Sequence, residues 1–164
     1  NVVLQKGNFP YVEVDNDHII ISYPFMRLFQ VYDFNGKLLK SVNFDQGNYP
    51  DIRKEPEIIP LGTSREKALE IMTTWEFDVN YGPIYRCDNL YIRVVRSEIV
   101  NNKYEVFLEV FDDNFDFVTS SSLSDLEQDI GLFHFVYQDK IFFKSKIQSN
   151  EDSLIYFDAF LKFE

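Results

Sequence analysis

The sequence is poor in the residues that build disulfides and metal sites. It contains one cysteine, Cys87, and only two histidines, His18 and His134, among 164 residues. One cysteine cannot form an internal disulfide, and the C-x-x-C and Cys/His spacings of zinc sites are absent. The single thiol is consistent with the cytoplasm and equally with a disulfide-poor periplasmic protein.

Basic residues and long apolar runs are also scarce. The chain has 16 Lys and Arg against 27 Asp and Glu, which gives a formal net charge of −11. This balance disfavours binding to nucleic acid or to anionic lipid, because both need a basic surface. A stretch of about 18 apolar residues, the minimum for a membrane-crossing helix, is missing. We therefore expect no nucleic-acid partner and no transmembrane segment.

What the chain does contain is apolar and aromatic. Hydrophobic residues make up 45% of it and aromatic residues 17%, enough for one domain with a sizeable core. Phe and Tyr favour strands, because their rings pack well on a pleated surface. The chain begins "NVVLQKG", without an initiator Met or a signal peptide. We expect a mature or trimmed product from which any targeting segment has been removed.

Two short motifs recur three times in the same order. The first is Asp, a polar residue and three apolar residues, as in "DHIII" at 17–21, "DNLYI" at 88–92 and "DKIFF" at 139–143. The second is an aromatic residue followed by Asp at the end of an apolar run, at Asp33, Asp112 and Asp158. Such an Asp bonds to backbone groups just ahead and sets a tight turn. "FNGK" at 34–37 is the clearest hairpin signal, because Asn-Gly accepts a positive φ readily.

Together the motifs predict an all-β protein built from three four-stranded antiparallel meanders. The predicted strands are 10–14, 18–23, 28–32 and 37–44, then 79–86, 90–98, 104–111 and 115–122, then 132–137, 140–147, 153–157 and 160–163. A unit of roughly 45–50 residues is typical of a β-propeller blade. We predict a partial propeller domain over 1–164, with blades at about 10–44, 76–123 and 130–164.

Residues 45–75 interrupt the spacing between the first two units. The stretch 45–63 holds three prolines and two glycines and predicts a long loop. "SREKALEIM" at 64–72 predicts one short helix, with Ser64 as its N-cap. We interpret 45–75 as a loop and helix inserted at one edge of the sheets.

Three blades do not close a propeller. Closed propellers have about four to eight blades, and closure protects the sheet edges. We therefore expect the missing blades in an absent N-terminal portion or in a second copy of the chain. The alternative is a β-sandwich or meander whose hairpins are similar by accident.

Three stretches carry a family resemblance: "YGPIYRCDNLYIRVVRSEI", "YEVFLEVFDDNFDFV" and "DSLIYFDAFLKFE". In them the chain resembles the C-terminal half of TolB-like six-bladed β-propellers, predicted lipoproteins of Bacteroidetes without an assigned function. The resemblance implies six blades, a lipid-anchored parent protein and a location in the periplasm or at the surface of a Gram-negative bacterium. The family's lipid-modified cysteine lies near the precursor's N-terminus, so Cys87, in mid-chain, does not match that role. The resemblance supplies no catalytic residues.

The stretch 81–96 concentrates aromatic and guanidinium groups in an otherwise acidic chain. Aromatic faces and arginine forks suit sugar rings, carboxylates or peptides. We predict a ligand site on a propeller rim, in which Arg96 is the preferred binding residue and Tyr81 is its aromatic companion. The full predicted set is Trp75, Tyr81, Tyr85, Arg93 and Arg96. The alternative is that these arginines pair with neighbouring Asp and Glu.

Two functions stay open. The first is a non-enzymatic binding or scaffold propeller of the cell envelope, whose ligand is a small molecule, glycan, peptide or protein. The second is a lyase or hydrolase with its site at the central channel rim, which a His beside a carboxylate in the channel would favour. Motifs such as G-x-S-x-G, H-E-x-x-H and the Walker loop are absent, so we assign no catalytic residue, cofactor or metal ligand. Acidic clusters at 112–116, 125–129 and 151–152 have oxygens that suit calcium, but the EF-hand order is missing.

Overall fold

In the part of the chain that the structure describes, the fold consists of three antiparallel β-sheets and one helix. The structure is a computed structural model that describes residues 9–44, 49–52, 54, 59–76, 78–101, 103–123, 130–138, 140–145 and 156–159. At 75–76, 130–133, 145 and 156–159 it describes the backbone alone. Within these ranges the expected all-β class with one short helix is confirmed.

Each sheet is built from consecutive strands. Sheet 1 has the order β1-β2-β3-β4, with Tyr11–Val14, Ile19–Tyr23, Met26–Tyr32 and Leu38–Val42. Sheet 2 has the order β5-β6-β7-β8, with Asn80–Cys87, Leu90–Arg96, Val106–Phe111 and Phe117–Ser122. Sheet 3 has the order β9-β10-β11, with Ile130–Tyr137, Lys140–Ser145 and Tyr156–Ala159. The predicted strand 160–163 and Asp139 of the first motif lie outside the described residues.

The helix α1, Arg65–Glu76, follows sheet 1 and is longer than predicted. Its N-terminus is capped as expected, because the Lys67 N–H donates to Ser64 Oγ at 3.3 Å. The helix is mostly exposed, including Leu69. Among the described residues, no helix combines the length and the hydropathy needed to cross a membrane.

The second motif forms the same turn in sheets 1 and 2. In the β3–β4 hairpin, Asp33 Oδ1 accepts the N–H groups of Asn35 and Lys37, both at 2.9 Å. In the β7–β8 hairpin, Asp112 Oδ1 accepts the N–H groups of Asn114 and Asp116 at 2.9 and 2.8 Å. The predicted turn-setting role of these two Asp residues is confirmed. The predicted turn at Asp158 is wrong, because its backbone lies within β11, paired with Phe142.

One position of this turn needs a left-handed backbone. It is occupied by Gly36 in sheet 1, with φ 80°, and by Phe115 in sheet 2, with φ 61°. A non-glycine residue pays about 1 kcal/mol or more for this conformation. The strain at Phe115 is offset because its ring is buried between the sheets. The ring stacks on Tyr91 with 4.2 Å between ring centroids and meets His18 edge to face at 5.2 Å.

Sheet 2 lies between the other two sheets, and both of its faces are buried. The core shared with sheet 1 comprises Ile20, Phe29, Val31, Val42, Ile84, Tyr91, Phe111 and Phe115. The core shared with sheet 3 comprises Cys87, Ile92, Val94, Val106, Leu108, Val110, Leu123, Ile141 and Phe143. Because alternate side chains of a strand point to opposite faces, β6 and β7 supply both cores. All of β7 is buried, and so is β6 from Tyr91 onwards.

The turn comparison gives a testable prediction. We expect Phe115→Gly to lower the free energy of unfolding by about 2–3 kcal/mol, because the lost ring contributes more than the relieved strain. The control is Gln138→Gly, since Gln138 has φ 48° but is exposed. There we expect a change within about 1 kcal/mol, towards greater stability. Urea unfolding of both variants measures the difference, and a stabilising Phe115→Gly would contradict the packing role.

Candidate functional site

The structure places three of the five predicted site residues in the interior and brings two of them together, with the Arg93 guanidinium 4.9 Å from the centre of the Tyr81 ring. Tyr81 and Arg93 are 0% exposed and Arg96 is 6% exposed, so these three side chains lie in the interior. Tyr85 is half-buried, at the edge where the sheets meet. The side chain of Trp75 lies outside the described residues. Tyr81, Arg93 and Arg96 therefore do not form the expected rim of aromatics and free arginines, because their side chains are buried.

Arg93 forms a buried ion pair with Glu109. The two residues face each other directly in the register of β6 and β7. Arg93 Nε and Nη2 each lie 2.6 Å from Glu109 Oε2, and Arg93 Nη1 donates to the Arg27 carbonyl at 2.6 Å. The Tyr49 hydroxyl donates to Glu109 Oε1 at 2.5 Å. This bears out, for Arg93, the alternative that the arginines pair with neighbouring acids.

Arg27 extends the network to the segment after sheet 1. Its Nη1 lies 2.5 Å from Asp51 Oδ1 and donates to the Phe44 carbonyl at 2.9 Å, and its Nη2 donates to the Tyr49 carbonyl at 2.7 Å. The Tyr81 hydroxyl donates to the Pro50 carbonyl at 2.5 Å. The network therefore fixes residues 49–51 between sheets 1 and 2.

The electrostatics of these tyrosines keep them protonated. Burial raises the pKa of Tyr81 to about 12, although Arg27 and Arg93 oppose the rise. Burial and the neighbouring Glu109 carboxylate together raise the pKa of Tyr49 far above its ordinary value. Both phenols thus act as hydrogen-bond donors to fixed acceptors, a structural role.

Arg96 is held at the start of sheet 2. Its Nη2 donates to the Asp78 carbonyl at 2.6 Å. The Asp78 carboxylate in turn accepts the N–H groups of Lys54 and Val79, each at 2.7 Å. Arg96 thus binds the backbone just before β5, and the predicted binding of a ligand by Arg96 stays a prediction.

A second polar cluster joins sheets 1 and 2 at the β1–β2 turn. Asp15 Oδ1 accepts the N–H groups of Asp17 at 2.8 Å and His18 at 2.7 Å, and Oδ2 accepts the Tyr91 hydroxyl. Arg86 Nη1 lies 3.9 Å from Oδ2. Burial alone raises the pKa of the Asp15 carboxyl, but the hydrogen bonds from Tyr91, Asp17 and His18 outweigh it, so the pKa lies below its ordinary value.

A third cluster lies along the first strands of the three sheets. We call it the inner-edge cluster and define it as Tyr11 and Glu13 of β1, Tyr85 of β5 and His134 of β9. All four side chains are half-buried. The rings of Tyr85 and His134 meet edge to face at 5.7 Å. Burial raises the pKa of Tyr85, and the nearby Glu13 and Tyr11 raise it further.

A bulge in β5 lies beside the histidine. The register of β5 against β6 shifts between Tyr81 and Ile84, around Gly82. A Cβ on Gly82 would lie 2.8 Å from the Val94 carbonyl oxygen and 3.6 Å from the His134 imidazole. Glycine is therefore required for the close approach of β5 to β6, beside which the His134 ring packs.

The sequence contained signals for two of the residues that we did not single out. Arg27 alternates with Phe29 and Val31 in "MRLFQVY", which places it on the core face. Glu109 is a single acid in the apolar run "VFLEVF". Because a buried charge needs a partner, a pair between Glu109 and Arg93 on the neighbouring strand could have been inferred from the sequence. Within the described ranges, no three His, Cys, Asp or Glu side chains are grouped to hold a metal ion.

Comparison with known proteins gives a structural likeness. A crystal structure of a DUF4221 family member from Bacteroides vulgatus ATCC 8482 is similar, with a TM-score of 0.68 and 11% sequence identity. The likeness covers 93% of this chain and 45% of that chain, so this chain spans less than half the length of its neighbour. No family model and no curated protein matches the sequence. At this identity the likeness shows an all-β fold alone, and the TolB-like resemblance stays a prediction.

The buried ion pair gives a prediction about stability. We expect Glu109→Gln to lower the free energy of unfolding by about 3–5 kcal/mol, because it leaves the Arg93 guanidinium buried without its carboxylate. Glu105→Gln is the matched control, because Glu105 is exposed just before the same strand. Its effect should stay within about 0.5 kcal/mol. Equal effects of the two changes in urea unfolding would contradict the importance of the pair.

The Asp15 cluster gives a prediction about pH. Because the folded pKa of Asp15 is lowered, its contribution is present above the unfolded pKa of about 3.9 and is lost as the pH falls through the folded pKa. We expect Asp15→Asn to be less stable than the wild type by about 1–2 kcal/mol at neutral pH, with the gap narrowing at acid pH. Tyr91→Phe should raise the pH at which this difference in the free energy of unfolding narrows. Urea unfolding as a function of pH measures the gap, and a gap independent of pH would refute the role of Asp15.

Proposed function

We propose that the chain is one half of a β-propeller ring and serves as a non-enzymatic binding or scaffold module of the bacterial cell envelope. The observation that carries the proposal is the adjacency of the first strands. In the described residues, β1 contacts β5 and β5 contacts β9, while the sheets stack face to face. Neighbouring first strands around a central axis are the arrangement of propeller blades.

The outer faces of the stack support further sheets. On sheet 1, the face turned away from sheet 2 carries apolar side chains that are exposed or half-exposed: Val12, Val14, Ile19, Ile21 and Leu28. On sheet 3, the corresponding face carries Phe135 stacked on Phe142 at 5.1 Å, with an exposed Tyr137 beside them. Apolar faces of this kind at both ends of a stack are suited to cover by another sheet.

The length of the structural neighbour supports the same reading. This chain corresponds to 45% of that protein, so two halves of this size account for most of its length. A ring of six sheets is the simplest closed form of two stacks of three. The envelope location rests on the resemblance to TolB-like lipoproteins and on the Bacteroides source of the neighbour.

The side-chain chemistry favours binding over catalysis. His18 is beside a carboxylate, with Nδ1 3.4 Å from Asp15 Oδ1, but the contact lies within one turn. That carboxylate already accepts the N–H groups of Asp17 and His18 and the hydroxyl of Tyr91, which ties it to the fold. The alternative of a lyase or hydrolase needs His134 to act with Glu13, the carboxylate of the inner-edge cluster, whereas the described ring contacts of His134 are with Tyr85 and Phe143.

Self-association of the 164-residue chain tests the ring. We expect sedimentation velocity to give an apparent mass above the 19.5 kDa of one chain, because sheet faces are left uncovered. Ile21→Glu should lower this mass at equal concentration, since Ile21 lies opposite Val12 on the outer face of sheet 1.

The control is Leu61→Glu, because Leu61 is 89% exposed in the segment before the helix. It should leave the association unchanged. Circular dichroism verifies that both variants keep the β fold. A wild-type chain that sediments as a stable monomer at all concentrations would overturn the ring.

A further inference from the structure

The inner-edge cluster has an unusual chemical composition for an acidic chain. It brings one carboxylate, two phenol rings and one imidazole from three different sheets to one edge. Glu13 and Tyr11 lie on the face of β1 that also carries the inward-facing Ile20 and Ser22 of β2. Among the described residues, no ion pair joins Glu13 to a Lys or Arg.

The environment of Glu13 is unfavourable to its charge. Burial raises the pKa of its carboxyl above the ordinary value. A cation placed beside this carboxylate would compensate the lost hydration, as buried charges require a partner. The rings of Tyr11 and Tyr85 offer faces with negative quadrupoles, which attract cations and are most effective for weakly hydrated ammonium groups.

We propose that the inner-edge cluster binds a small organic cation, with an ammonium group held by Glu13 and flanked by Tyr11 and Tyr85. The inference rests on the proposed binding function and gives that function a ligand class. It differs from the anionic or glycan ligand that the arginines of 81–96 suggested. Arg93 donates to Glu109 and to a backbone carbonyl, and Arg96 donates to a backbone carbonyl, so both are engaged inside the fold.

The position of the cluster suits a site. The first strands of sheets 1 and 2 are neighbours, so a ligand held by Glu13, Tyr11 and Tyr85 touches both sheets at once. Its members are half-buried, which leaves them reachable while they keep part of their surface from water. The His134 ring packs edge to face against Tyr85, with 5.7 Å between the ring centroids, and this contact orients the phenol ring.

A pair of isosteric probes tests the charge requirement. Choline carries a quaternary ammonium, and 3,3-dimethylbutan-1-ol has the same shape with carbon in place of nitrogen. We expect choline to shift the backbone NMR signals of 11–14 and 80–87 in a saturable way. The neutral alcohol should bind at least about tenfold more weakly, because it gains neither the carboxylate nor the cation–π attraction.

Three variants locate the site. Glu13→Gln should weaken choline binding at least about tenfold, since it removes the charge and keeps the shape. Tyr85→Phe keeps the ring and should change the affinity less than about threefold. Glu66→Gln is the matched control, because Glu66 is exposed on α1, and it should have no effect.

The outcomes test the cation site and the proposed propeller ring separately. Equal binding of choline and the alcohol, or an unchanged affinity of Glu13→Gln, would overturn the cation site. A chain that self-associates through sheet 1 but binds no choline overturns the ligand class alone. A stable monomer that binds choline through Glu13 supports the cation site and overturns the ring alone.

Discussion

The ion pair between Arg93 and Glu109 is the interaction on which the stack of sheets depends. Taking two charges out of water costs on the order of several kcal/mol per ion, and a single partner does not offset this cost. Further hydrogen bonds come from groups elsewhere: Arg93 donates to the Arg27 carbonyl, and the Tyr49 hydroxyl donates to Glu109. The pair therefore ties the middle sheet to the start of β3 and to the segment after sheet 1.

This constraint determines where ligand chemistry is available. Two of the arginines in the basic, aromatic stretch 81–96 are turned inward, because the strand that carries them is covered on both faces. Polar groups that keep partial access lie instead at the first strands, where the sheets are adjacent. A carboxylate among phenol rings attracts cations, whereas a cluster of arginines attracts anions. The interior ion pairs thus leave an inner edge that is suited to cations.

The repeated hairpins use the same turn in sheets 1 and 2 with different residues at its left-handed position. Asp33 and Asp112 form the same turn through the same two N–H groups. Sheet 1 has Gly36 at the left-handed position, where the turn is exposed to solvent. Sheet 2 has Phe115 there, because its ring fills the space between Tyr91 and His18. The strain of the backbone is offset by packing that only the adjoining sheet provides.

The sequence by itself determined the local structure of this protein. The turns at Asp33 and Asp112, the alternation in "YVEV" and the N-cap at Ser64 follow from interactions between near neighbours in the chain, so three sheets and one helix could be predicted from the residues. Only the tertiary structure decided which faces are covered. Tyr81, Arg93 and Arg96 become interior, and Glu13 comes near Tyr85, because strands far apart in the sequence lie against one another. Period two assigns a side chain to one of two faces, but the sheet that lies against that face comes from distant residues. This is why the hairpins could be predicted and the burial of these arginines could not.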